Sequence, residues 1–512
     1  MANAAEWFVD RHIAEGRGGK VAFVEADGAG RSLTYGQLHE EAGRFAGALV
    51  RHGVRREERV AMIVRDQIEW PVVFWGALKA GAIPVPLNTL LSADLYETIL
   101  TDSRASILVV SEEMWDVVEP ATRDNRFLRA ILVIGDTSEA GEARPAPEMT
   151  ESYRDFTAGA PVLDTVEAHD DELAFWLYSS GSTGQPKGVR HVHGALKATC
   201  DTFGDQVLGI REEDTVYSVA KMFFAYGLGN AVSFPMSVGA STVLFGGRPT
   251  PDAVYSILAT HRPTILCAVP TLFAALVQAA KGAPEHGLRL CTSAGEALPR
   301  EVGEGWQRLT GVEIVDGVGS TEMLHIFLSN RPGDCVYGTS GTAVPGYEVR
   351  LVDEHDEDVV DGDVGELLVR GPSSAEGYWN RRSKSQATFE GAWTRTGDKY
   401  ERRDGRYVYC GRTDDMFKVS GIWVSPFEVE SALIDHPSVL EAAVVARADA
   451  AGLDKPAAYV VLKDGADVPD VEDLKAFVKG RIGMWKYPRW VEIVDDLPKT
   501  ATGKIQRFRL RG

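Results

Sequence analysis

Residues 178–191 read YSSGSTGQPKGVRH, and in them three Ser, one Thr and three Gly surround Pro186 and Lys187. Closely spaced backbone N–H groups, hydroxyls and one ammonium suit the oxygens of a phosphate chain. The spelling is not G-x-x-x-x-G-K-[ST], because Gly188 follows Lys187, so kinase- or GTPase-type chemistry is not what the loop announces. LAFWLY (173–178) reads as a buried strand before it, and a helical pattern begins near His193. The expected context is therefore strand, Gly-rich loop, helix. Ser179, Ser180, Ser182 and Thr183 would add hydroxyl donors, Gly184 would let the backbone approach closely, and Lys187 would add charge. A second polar loop near the C-terminus, PKTATGK, carries Lys504. Taken alone this is an ordinary solvated lysine, and Pro498 and Ile505 exclude a second nucleotide loop of the usual kind.

These loops need a scaffold, and the chain is long enough to supply one. Its 512 residues are 44% hydrophobic and 25% charged, with a net charge of −20. An acidic chain argues against nucleic-acid binding and leaves any anionic ligand to local clusters of Lys and Arg. RVAMIV (59–64), ASILVV (105–110), AILVIG (130–135), TVYSVA (215–220), STVLFG (241–246) and TILCAV (264–269) are short, β-branched and nearly continuous in hydrophobicity, as buried parallel strands are. Helical patterns such as YGQLHEEAGRFAGALVRHG lie between them, this one ending at Gly53. The alternation predicts a large α/β body with helices covering its sheets. After about residue 336, hairpin strands separated by Asp361-Gly362 and Asp404-Gly405 follow, and beyond Arg412 a small α+β unit of roughly a hundred residues. The stretch 137–170, rich in Glu, Pro, Ala and Asp, reads as a surface connection.

Six segments together are similar to the motifs of the adenylate-forming superfamily of acyl-CoA synthetases, adenylation domains and firefly-type luciferases. They are STGQPKG (182–188), SAGEAL (293–298), DGVGSTEM (316–323), TGDKYERRDG (396–405), GRTDDMFKVSGIWVSPFEVE (411–430) and PKTATGKIQR (498–507), in the family's order and across nearly the whole chain. The resemblance implies a large N-terminal domain, 1–413, and a small mobile C-terminal domain, 414–512. It implies ATP, Mg²⁺ and coenzyme A, and attack of a substrate carboxylate on the α-phosphorus with pyrophosphate leaving. Such chemistry asks the protein mainly to position groups and neutralise charge. By the same resemblance Thr183 and Lys187 hold the β- and γ-phosphates, Thr321 meets the α-phosphate and Glu322 holds Mg²⁺, the cation being one that prefers carboxylate oxygen. Asp398 and Arg412 would bind the ribose, and Gly295, Glu296, Ala297, Asp316 and Gly317 the adenine. Lys504 would be the catalytic lysine that bridges carboxylate and α-phosphate, Asp414 the hinge, and Gly421 part of the pantetheine tunnel. Alone, Asp398 would be an ordinary turn residue after Gly397.

The acid is suggested by MFFAYGLGNAVSFP (222–235), which holds no charged side chain. An amino-acid substrate would leave its ammonium unpaired there, so an apolar body is favoured. AYGLGN with Phe234, and GSTEMLHIF (319–327), is most similar to the benzoate-CoA ligase branch. That resemblance makes Ala225, Tyr226, Phe234, Gly319, His325 and Ile326 a small flat pocket, apt for one aromatic ring. His325 could pack on the ring or bond a ring hydroxyl or amine, so hydroxybenzoates and aminobenzoate stay open beside benzoate. His191 and His193, two residues apart, are not at the spacing of a helical metal site and remain unassigned.

The expected function is ligation of benzoate to CoA through benzoyl-adenylate. The alternatives are a hydroxybenzoate- or aminobenzoate-CoA ligase, an aryl acid adenylation enzyme loading a carrier protein, and a nucleotide sensor without catalysis. Five scattered Cys without a C-x-x-C pair, and an N-terminus without an apolar signal region, predict a reducing cytoplasm. PKTATGK also resembles the site at which acyl-CoA synthetases are acetylated, so an acetyltransferase–deacetylase pair acting on Lys504 is an expected partner, as is a second copy in a homodimer. The surplus of Lys and Arg after Gly480 would attract ATP or CoA phosphates, or be a solvated face.

Overall fold

The computed structural model describes residues 3–28, 30–135, 148–180, 185–413, 415–419, 422–450, 453–463, 465–484, 486–499 and 505–511. Each of the six apolar runs forms a strand, and the strands pair in parallel within two sheets. In one sheet Ile83–Pro86, Arg59–Ile63, Ile107–Ser111, Ala130–Ile134 and Thr150–Ser152 lie side by side. The other runs from Ile314–Gly319 through Leu290–Ser293, Ile265–Ala268 and Thr215–Ser218 to Ser241–Leu244 and Val21–Glu25. Near-continuous hydrophobicity is required because helices cover both faces, and strand residues such as Val60, Leu108 and Ile265 are fully buried.

The helix Tyr35–Arg51 shows how locally the boundaries are set. Thr34 accepts a bond from the backbone N–H of Gln37, whose side chain in turn accepts from the Thr34 N–H. This reciprocal cap is worth about 1 kcal/mol. At the other end Gly53 takes φ +72°, the left-handed conformation that stops the helix.

Two expectations need correction. The segment around 137–170 is not merely a connection. Thr150–Ser152 adds an edge strand, the helix Tyr153–Thr157 buries Phe156 in the core, and the backbone N–H groups of Leu163 and Val166 donate to Gly43 and Lys79 carbonyls. Its polar composition is that of an edge lying on the surface of the body. The phosphate loop also sits in a different context. Pro186–Val192 is a strand paired antiparallel to Leu173–Ser180, so the loop is the tip of a β-hairpin and the helix His193–Thr199 starts only afterwards. The alternation in PKGVRHV, with Val189 and His191 buried, is the reason.

Beyond residue 345 an antiparallel sheet follows, in which Asp404 and Gly405 both take positive φ and close the tight turn between Trp393–Arg403 and Arg406–Arg412. Val439–Ala448, Asp454–Leu462 and Trp490–Ile493 form a last sheet, packed by the helices Pro426–Ile434 and Val471–Ile482 around their own core of Val429, Leu433, Val444, Val460, Leu474 and Val478. This is the α/β body with a small C-terminal α+β unit. Among the described residues no helix is long and apolar enough to cross a membrane, and the five cysteines are free thiols.

Candidate active site

The parallel strands Ile265–Ala268, Leu290–Ser293 and Ile314–Gly319 have Ala268, Ser293 and Asp316 in register, and the last runs on to Gly319. The chain after them leaves from the carboxyl side of the sheet, where open α/β sheets place their ligand crevice. The hairpin of the phosphate loop meets this side through Lys187 and Glu322.

On the hairpin, Ser179 stands opposite Lys187. Gly377–Tyr378 adds a short third strand, with Tyr378 opposite Val189. Strand alternation puts Lys187, Val189 and Tyr378 on one face. Glu322 comes to the same place from the turn after Gly319, where the N–H of Met323 donates to Ser320 Oγ at 3.1 Å and that of Ala375 to the Glu322 carbonyl at 2.8 Å. Lys187 Nζ is 2.8 Å from Glu322 Oε1 and 2.9 Å from the Tyr378 hydroxyl, which lies 2.7 Å from the same Oε1. Burial alone would raise the Glu322 carboxyl, but the Lys187 charge and the bonds from Lys187 and Tyr378 hold it below its ordinary value. Ser179 Oγ is buried and has no hydrogen-bond partner among the described residues. Gly188 packs tightly beside Lys187, where a Cβ would come within 3.2 Å of the Tyr178 ring. Thr321 immediately precedes Glu322 in this turn, half-buried.

Asp398 and Arg412 are cross-strand partners, joined by a 2.9 Å bond from Arg412 Nη1, which also donates to the Thr396 carbonyl at 3.0 Å. Gly397, at φ +71°, leaves room for the guanidinium: a Cβ would lie 2.8 Å from it. Asp316 is buried within its strand, opposite Ser293 at the end of the neighbouring one, and burial pushes its carboxyl well up against the bonds from Ser293, Leu298 and Gly317. Gly317 packs against Ile326 and Leu328, and Gly295, at φ +100°, turns the neighbouring loop that continues into Glu296 and Ala297.

Farther in, His325 is buried against Phe234 (ring centroids 4.5 Å, edge to face), Phe203 (5.2 Å) and Tyr226 (5.6 Å). Its Nε2 lies 3.4 Å from the Tyr226 carbonyl, and its Nδ1 has no partner among the described residues. Burial depresses its pKa to about 3, so the ring is neutral at pH 7. Leu324 just before it takes φ +63°, an unfavourable conformation for a branched side chain, and the chain reverses there. Gly319 lies against the His325 carbonyl, Ile326 is Gly319's cross-strand partner, and Ala225 opens the helical turn that carries Tyr226. Gly229 belongs here too, because a Cβ would come within 2.3 Å of the His325 ring.

The structure thus brings together Ser179, Lys187, Thr321 and Glu322, Asp398 with Arg412, Asp316 with Gly317, and the ring cluster around His325. Ser182, Thr183, Gly184, Asp414, Gly421 and Lys504 lie outside the described residues, as does the side chain of Ser180. His191, left unassigned, is a core ring stacked on Phe175 at 5.1 Å. Sequence reasoning missed Tyr378, Phe203 and Gly229. Gly229 lies inside the motif AYGLGN and carried a signal, whereas Tyr378 reaches Lys187 only through strand pairing.

The fold is shared with known proteins. The AMP-binding enzyme pattern matches residues 10–379, and the AMP-binding enzyme C-terminal domain pattern matches residues 428–504. The chain belongs to the AMP-binding enzyme family. Within that family it is 51% identical to a 4-hydroxybenzoate–CoA/benzoate–CoA ligase of Rhodopseudomonas palustris, over 99% of this chain and 94% of the relative. It is equally 51% identical to a benzoate–CoA ligase of Thauera aromatica, over 99% and 95%. A benzoate CoA ligase from Burkholderia xenovorans LB400, known from crystal structures, superposes with a TM-score of 0.91 at 46% identity, covering 100% of both chains.

Proposed function

We propose that this enzyme activates benzoate with ATP, giving benzoyl-adenylate and pyrophosphate, and passes the benzoyl group to coenzyme A, releasing AMP. The observation that carries the reading is the 51% identity to ligases named for benzoate, together with an uncharged cluster of aromatic side chains around His325, three residues along the chain from Glu322. The acid's ring would lie against Tyr226, Phe234, His325 and Ile326, with its carboxylate toward Thr321. Lys187, with Thr183, would hold the phosphates that depart as pyrophosphate, and the unpartnered hydroxyl of Ser179 fits an added donor. Asp398 and Arg412 would bind the ribose, and Asp316 with Gly317 and residues 295–297 the adenine.

The residues fit a magnesium ion. Both side-chain donors converge on Oε1 of Glu322, and its carboxyl is held ionised, so the other oxygen is the one a hard cation would take. Bound there with ATP, Mg²⁺ would neutralise charge on the leaving pyrophosphate. Residues 1–413 would form the nucleotide and acid half. Residues 414–512 would turn about Asp414, bring Lys504 to the carboxylate for the first step and present the segment around Gly421 to CoA in the second. Tyr409 packs on Phe427 across this junction at 5.3 Å, and Arg507 joins Glu430 at 2.7 Å and Asp415 at 3.6 Å.

The test is AMP release across benzoate, hydroxybenzoates, aminobenzoates and short aliphatic acids, with and without CoA. CoA-dependent turnover led by benzoate supports the reading; release led by an aliphatic acid, or independent of CoA, overturns it. One observation favours a hydroxybenzoate as a second substrate: His325 Nδ1 has no partner among the described residues, and a ring hydroxyl would supply one.

A further inference from the structure

Resting on the assignment of Lys187 and Glu322 to Mg–ATP, we propose that Tyr378 is a positioning residue that fixes the Glu322 carboxylate for its metal and Lys187 for the phosphates. The three side chains close a ring of bonds. Lys187 donates to Glu322 and to the tyrosine hydroxyl, and that hydroxyl donates to Glu322. The Lys187 ammonium also lies 4.2 Å from the centroid of the Tyr378 ring, a cation–π contact. A phosphate oxygen that takes a proton of the Lys187 ammonium competes with Glu322 for its charge and would weaken that bond. The tyrosine is built to survive that competition. Its hydroxyl has one proton to give, which stays on Oε1, so the carboxylate keeps its rotation and its other oxygen faces the metal. Its ring stays beneath the ammonium.

Tyr378 is itself held firmly. It is buried, its strand register with Val189 is fixed, its backbone N–H donates to Ser385 Oγ at 3.0 Å, and its ring packs on Phe389 at 5.3 Å. Trp379 next to it donates its backbone N–H to the Gly188 carbonyl at 2.8 Å, tying the strand to the residue after Lys187. The position is thus referenced to the hairpin and, through the bond between Ala375 and Glu322, to the turn that carries the carboxylate.

Calorimetric titration of the full chain with ATP, in Mg²⁺ and in EDTA, tests this. Tyr378→Phe keeps the ring and removes only the hydroxyl. It should weaken Mg–ATP about tenfold, the scale of one charge-assisted hydrogen bond, and leave metal-free ATP within about twofold. Tyr378→Leu, which also removes the ring, should weaken both. In a Glu322→Gln background, Tyr378→Phe should cost nothing further for Mg–ATP. Wild-type affinity in Tyr378→Phe, an equal loss with and without Mg²⁺, or full additivity with Glu322→Gln would each overturn the proposal. Lys187→Ala separates it from the reading beneath it: unchanged ATP affinity in that variant would mean the nucleotide site itself is misassigned. Thermal melts of each variant show that it is folded, and the KM for the acid at saturating ATP should be unmoved in Tyr378→Phe.

Discussion

The two ends of the crevice solve opposite problems. At the phosphate end, Lys187 and Glu322 are charged and already paired, with a tyrosine bonded to both. At the acyl end, His325 is neutral, closely packed by rings, and keeps a buried nitrogen unpartnered among the described residues. A buried charge without a counter-charge is costly, so the phosphate end must be complete before ATP comes and rearrange when it does. An aromatic ring needs only shape, so the acyl end can be preformed. On the proposed reading, ATP would bind at the first by an exchange of partners, and the acid's ring at the second by contact with uncharged rings.

Breaking the exchange should have the largest effect. Glu322→Gln keeps the shape but removes the charge offered to the metal, and should lower benzoate-dependent ATP–pyrophosphate exchange by on the order of 10²- to 10³-fold. Benzoate binding measured without ATP should be unaffected; a matching loss there would show that the two ends are one unit. Asp398→Ala removes the carboxylate paired with Arg412 and should raise the KM for ATP about ten- to a hundredfold, with kcat less affected. At the acyl end the sensitive change is an added methyl. Gly229→Ala would place a Cβ 2.3 Å from the His325 ring, which is itself wedged among Phe203, Phe234 and Tyr226. It should lower kcat/KM for benzoate by about tenfold through overpacking and leave the ATP affinity alone.

The same contrast explains what the sequence shows and what it hides. The parallel strands were readable because burial on both faces requires continuous runs such as ILVVS, and the helix over 35–51 because its caps are local. The residues of the acyl pocket cluster in two short stretches, 225–234 and 319–326, so their meeting was legible from motifs. The phosphate end is assembled from afar: Lys187, Glu322 and Tyr378 come from three strands or turns, 191 residues separating the first from the last. Tyr378 sits in a two-residue strand, too short for any periodic signal, and only its pairing with Val189 brings it in. The helix near His193 was legible, but the strand Pro186–Val192 between it and the phosphate loop was not, because Pro186 and Gly188 are poor strand formers by composition. Here they are tolerated at the hairpin's end, where a Cβ on Gly188 would press on the Tyr178 ring at 3.2 Å.

Acid titration should separate the two ends by their order of failure, with a smaller effect than any substitution above. His325, with a folded pKa of about 3 against an ordinary 6.5, is neutral in the fold and charges on unfolding. The unfolded state therefore binds more protons below pH 6.5, and stability falls as pH drops from 6.5 toward 3. His12, His191 and His193, each depressed to about 4 chiefly by burial, add to the same slope. Glu322 acts lower on the scale. Its folded pKa is below the ordinary 4.5, so its contribution is present above that value and is lost only as pH falls through the depressed one. Between pH 7 and 5, urea unfolding should thus show a loss from the histidines and almost none from Glu322. Replacing His325 by Asn should reduce that loss by about 1–2 kcal/mol, one ring's share over this interval. Glu322→Gln should leave the pH 7-to-5 difference unchanged and flatten the curve only below pH 4.5. An equal flattening by both variants above pH 5 would mean that the charged end and the neutral end are electrostatically coupled, and that the crevice titrates as a single site.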